Sequence, residues 1–124
     1  MMTFRLLAKG PRTRELPRAV QAALPRRNIL FRQLGVHAPC ELFDYQSVVI
    51  VVCEQYFIRI KSQIVLTVVF SFENDHTCSI RLISGGGQKG AVMLDWGAEE
   101  NALDRGIKII RDLARSMGME VETQ

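Results

Sequence analysis

Gln63-Ile64-Val65-Leu66-Thr67-Val68-Val69-Phe70-Ser71-Phe72-Glu73 is the stretch that decides the fold. It is dominated by β-branched and aromatic residues and holds neither Gly nor Pro, which is the composition of a strand. Successive strand side chains point to opposite faces, so Ile64, Leu66, Val68, Phe70 and Phe72 form one continuous apolar face that helices are expected to cover. The other face carries Val65, Thr67, Val69, Ser71 and Glu73, less charge than a freely solvated sheet face would show. A cover for that second face is therefore expected as well.

The neighbours of this strand repeat its character. Ser47 to Ile60 reads as a strand before it, separated by the hairpin-length break Lys61-Ser62. Here Val48, Ile50 and Val52 share one parity and Val49, Val51 and Cys53 the other; Val49 and Val51 are assigned with Val65 and Val69 to the second face. Glu73-Asn74-Asp75-His76 supplies turn chemistry, and Thr77 to Ser84 follows as a third strand. The centre of the chain is thus an antiparallel meander.

Further out, Thr3 to Ala8 is a first strand stopped by Gly10-Pro11. A helix follows, with Thr13 as its cap, Pro17 in its tolerant first turn, and Leu16, Val20, Ala23 and Leu24 on one face until Pro25 ends it. Asn28 to Val36 reads as a strand and His37 to Gln46 as a connection. Beyond the meander, Ala91 to Leu94 could form a short last strand. Asp95 would then cap a long helix, with Trp96 fastening its start to the sheet. Leu103, Ile107, Ile110, Leu113 or Ala114, and Met117 make that helix's apolar stripe. Gly106 costs it about 1 kcal/mol relative to Ala, so a glycine there predicts a close approach to the sheet. Gly118 is the natural stop, and residues 120–124 are expected to fray. The expected architecture is α+β, a single domain over residues 1–124 in the order β-α-β-β-β-β-(β)-α, with the helices on one face of the sheet.

At 124 residues, 48% hydrophobic and 23% charged, the chain can build one proper core and has neither the composition of a disordered segment nor an apolar run long enough for a bilayer. The first residues do not read as a signal peptide, and three cysteines (Cys40, Cys53, Cys78) without CxxC spacing are expected to be free thiols in a reducing compartment. A cytoplasmic protein is the resulting expectation. The net charge of +3 is unevenly spread, with +7 over residues 1–35 and −4 over the remainder. Arg5, Lys9, Arg12, Arg14, Arg18, Arg26, Arg27 and Arg32 make the basic end. Such a cluster can attract nucleic acid, but aromatic interleaving and any nucleic-acid motif are missing, so a solvated face is the simpler reading.

Candidate chemistry is sparse. Gly85-Gly86-Gly87-Gln88-Lys89-Gly90 fits G-x-G-x-x-G in letters, yet it follows a meander strand instead of opening a βαβ helix, which argues against a dinucleotide site. A tight turn is the plainer reading, although its N–H groups with Lys89 could hold an anion. His37, Cys40, His76 and Cys78 offer a Cys2His2 set without finger spacing, and Cys78 shares parity with Ile80 and Leu82 as a small buried residue would. Neither a metal nor a cofactor is expected. Glu54 and Tyr56 end a very apolar strand on one face; Glu54 could act as an acid or base there, but no second catalytic group is positioned beside it.

The strings Val52-Cys53-Glu54-Gln55-Tyr56, Ile83-Ser84-Gly85-Gly86 and Gly97-Ala98-Glu99-Glu100-Asn101-Ala102-Leu103 resemble a family of small bacterial proteins catalogued only as a domain of unknown function. The resemblance spans residues 46–110, and the arginine-rich start, Gly87 and Lys89 depart from it. It implies no activity. It does single out Glu54, Tyr56 and the turn Ser84, Gly85, Gly86, Gly87; together with Lys89, whose charge could help that turn hold an anion, these make the candidate ligand site. The functional expectation is a noncatalytic, homodimeric binding or structural module that uses the second sheet face; a small-ligand site or enzyme at those residues and nucleic-acid binding by the basic end are the alternatives.

Overall fold

A computed structural model of the chain describes residues 1–24, 40–57, 62–86 and 98–124. Among these residues, six antiparallel strands form one sheet with two helices: β1 (Met2–Lys9), α1 (Leu16–Ala23), β2 (Cys40–Asp44), β3 (Val48–Phe57), β4 (Ser62–Asn74), β5 (Thr77–Gly86), α2 (Ala98–Ser116) and β6 (Glu120–Thr123). The sheet order is β2-β3-β4-β5-β1-β6. The meander β2 to β5 is intact, and β1 returns to lie between β5 and β6.

The alternation in β4 is realised as expected. Ile64, Leu66, Val68 and Phe70 are fully buried and Phe72 nearly so, and Leu66, Val68, Phe70 and Phe72 pack in one cluster with Leu16, Val20 and Leu24 of the first helical segment and Leu103, Ile107, Ile110 and Ala114 of α2. Both helices therefore lie on this face. Gly106 shows why α2 needs a glycine: a Cβ there would stand 2.8 Å from Leu66 Cδ2 and 3.1 Å from Leu82 Cδ2.

The register corrects the assignment of β3. Val49, Val51 and Cys53 sit opposite Phe70, Val68 and Leu66 and are buried on the helix side. The second face is carried instead by Val48, Ile50, Val52 and Glu54, all half-buried. Both parities of β3 are apolar, so its own pattern could not decide which set turned inward; pairing with β4 does.

Three further expectations change. Residues 40–44, read as connection, form the edge strand β2, whose hairpin to β3 closes through Asp44 Oδ1 accepting from the Gln46 N–H at 2.8 Å, with Gln46 at φ 69°. The free-thiol reading fails for Cys40 and Cys53, which face each other across β2 and β3 and are joined in a disulfide; Cys78 alone is a free thiol. The tail is not frayed. Gly118 at φ 80° reverses the chain, its N–H donating to Arg115 O and that of Met119 to Ala114 O, a Schellman closure. Buried Met119 anchors the last residues to the core, and β6 pairs with β1 while Arg111 donates to Thr123 Oγ1 at 2.7 Å.

At the start of α1, Thr13 is buried and its hydroxyl donates to Gly10 O, so it does not cap the helix; a short 3-10 turn, Thr13–Glu15, leads in. The readings for Asn28 to Val36, Ala91 to Leu94, Asp95, Trp96 and Lys61 lie outside the described residues. No helix among the described residues is long and apolar enough to cross a membrane.

Candidate functional site

The structure divides the residues singled out by the sequence. Gly85 and Gly86 are not in a turn: β5 runs through them, pairing with Val65 and Ile64 of β4. A glycine-rich string reads as a loop when its partner strand is unknown, but an inner strand tolerates glycine where a neighbour supplies the ladder. Ser84 lies opposite Leu66 and is fully buried on the helix side. Glu54 and Gly85 share the other face, in one row with Val65 between them, two strand spacings or roughly 10 Å apart. The backbone of Tyr56 pairs with Gln63. Gly87 and Lys89 lie outside the described residues.

The metal set is not assembled either. Cys40 is bonded to Cys53, and Cys78 is buried in β5, where desolvation pushes its thiol up to about 12. His37 lies outside the described residues. Among the described residues, one shallow hollow of about 190 Å³ lies between β1 and β6 and another of about 250 Å³ between α1 and α2. Both fall below the size usual for small-molecule sites, and neither includes Glu54 or Gly85.

Much of the described basic end is used structurally. Arg14 donates to Gln46 O at 2.6 Å and to Asp75 Oδ1 at 3.2 Å, and its guanidinium lies 4.3 Å from the centre of the Phe72 ring. It thus clips the helical lead-in to two hairpin turns. Arg12 pairs with Glu15 at 3.0 Å, which holds the Glu15 carboxyl below its ordinary range.

What the topology builds most clearly is the second face. Its successive rows run Phe43, Ile50, Val69, Arg81, Arg5 and Glu41, Val52, Thr67, Ile83, Thr3 from β2 to β1. Val48, Ile50, Val52, Val65, Val69 and Ile83 make its apolar middle, and Phe43 at its margin is 41% exposed. Acidic Glu41 and Glu54 lie toward the β2 side. Arg81 and Arg5 stand directly opposite one another toward the β1 side. Sequence reasoning found Val65 and Val69 but missed Phe43 and Glu41, because residues 40–44 read as a connection and not as a partner of β3, and missed the arginine pair, because its placement depends on pairing between segments more than 70 residues apart.

Against known proteins, the profile of a family of unknown function, DUF6054, matches residues 39–114. The chain belongs to this family. The DUF6054 match takes in β2, β3, β4, β5 and most of α2, that is, the whole middle of the second face and the helix packed behind it; β1, α1 and β6 lie outside the matched range. The comparison with curated proteins gives no match.

Proposed function

We propose that this DUF6054 protein is a noncatalytic module that self-associates through the second face of its sheet. One observation carries the reading: Val48, Ile50, Val52, Val65, Val69 and Ile83 form a contiguous apolar surface on the side away from both helices. Contiguous apolar surface of this kind, rimmed by polar residues, marks an interaction site. A second copy is the simplest cover, since closed twofold pairs are the commonest assemblies and two sheets stack well about 10 Å apart.

Sedimentation equilibrium over a broad concentration range tests it. The expected result is a reversible monomer–dimer equilibrium that Ile50→Lys or Val69→Lys weakens by at least about tenfold, roughly 1.4 kcal/mol, with unchanged circular dichroism. A wild-type chain that stays monomeric at the highest concentration overturns the proposal.

A further inference from the structure

The charges around the apolar middle specify how two copies would meet. Going across the sheet from β2 to β1, the second face carries acid first, in Glu41 on β2 and Glu54 on β3. The apolar middle follows, and then base, in Arg81 on β5 and Arg5 on β1. These two arginines are cross-strand partners on one face. Like charges placed directly opposite destabilise a sheet, and an acid brought between them would relieve the repulsion. On this face Glu122 of β6 already stands diagonally from Arg5 at the outer side of β1, but the acid that a second copy could lay over the pair lies beyond the apolar middle: Glu41 is level with Thr3, two residues along β1 from Arg5, and four strand spacings away, roughly 19 Å.

Two face-to-face sheets can be related by a twofold axis running along the strands or across them. An axis across the strands sets Glu41 near its own equivalent and leaves the arginine pair facing another arginine pair. An axis along the strands, near β4, exchanges the two sides. It lays β2 of one copy over β1 of the other, and β3 over β5. Glu41 then approaches Arg5, Glu54 of one copy faces the strand that bears Arg81, and Val65, Thr67 and Val69 meet their own equivalents at the centre. Sheets stacked in this way keep their strand directions aligned to within about 30°, the usual sandwich geometry.

We infer that the face recognises a second copy of this chain through a twofold axis parallel to the strands, with Glu41 of each copy paired to the Arg5–Arg81 pair of the other. This inference rests on the self-association proposed above and adds its orientation and charge register. Acid placed over base gives partner choice and register more than raw affinity, and like charges brought together penalise the wrong arrangement.

Three variants of the full chain test the arrangement at low salt, each checked for native circular dichroism: Glu41→Arg, the double variant R5E/R81E, and the triple variant that combines them. The expected outcome is that the first two each raise the dimer dissociation constant at least about tenfold. The triple variant should restore a dimer close to wild type, and it should not form mixed dimers with the wild-type chain. Mixed dimers of the triple variant with wild type, or first and second variants that dimerise as wild type does, overturn the orientation while leaving self-association standing. A monomeric wild type removes both.

Discussion

Gly106 and Cys78 show how closely the interior constrains single residues. Replacing Gly106 by alanine should gain about 1 kcal/mol of helix propensity. The added methyl, however, would press on the ends of the Leu66 and Leu82 side chains, both fully buried, and these would have to shift within the packed core. Overpacking of a filled core costs about 1–3 kcal/mol, so steric cost outweighs propensity and Gly106→Ala is expected to lower the unfolding free energy by about 1 kcal/mol in denaturant titration. Cys78 gives a pH signature. Its thiol titrates near 9.0 in an exposed chain and is pushed up to about 12 by burial in the fold, against the weaker opposing influence of Arg14. A raised folded-state value means that the unfolded chain releases its proton first. Stability from this group is therefore whole below about pH 9 and declines as pH rises toward 12. Comparing unfolding midpoints of wild type and Cys78→Ala between pH 8 and pH 11 should show the steeper alkaline decline in wild type; parallel curves would refute the assignment.

At the scale of elements, legibility followed the strength of the local pattern. The β4 alternation and the stripe of Leu103, Ile107 and Ile110 could be read directly because burial on one side leaves a period in the sequence. β2 could not. Pro39 before it and Asp44 within it are loop-favouring, and only pairing with β3 makes residues 40–44 a strand. Had that hairpin been drawn about Gln46 and Ser47, Cys40 would have fallen opposite Cys53, so the disulfide was hidden by the missed strand and not by its spacing. β6 escaped for a related reason: four residues ending in Glu122 and Thr123 have weak strand character, and it is Gly118 and buried Met119 that deliver them to β1. The edge position of β2 also makes the disulfide consequential. Bridging residues 13 apart restrains the unfolded chain by about 3 kcal/mol. Reduction should lower the unfolding free energy by about 2–3 kcal/mol in paired titrations with and without dithiothreitol, and the loss should be absent in a Cys40→Ala/Cys53→Ala variant.

For the molecule as a whole, fold class and the burial of one sheet face were open to sequence reasoning, whereas the composition of the second face was only half visible. Val65 and Val69 could be placed because their strand had a polar alternative to compare against. Ile50 and Val52 could not be separated from Val49 and Val51, and the pairing of Arg5 with Arg81 exists only once β1 is set beside β5. That position of β1 has a temporal consequence. Residues 2–9 leave the ribosome well before their partners, which lie at 77–84 and 120–123. Until then the strand has neither neighbour and the growing meander β3-β4-β5 exposes an unpaired edge. Non-local pairing of this kind slows folding because loop closure precedes any gain from contact. Insertion of β1 is thus the step that completes the sheet, and a nascent chain halted before β5 is the species most open to wrong strand partners.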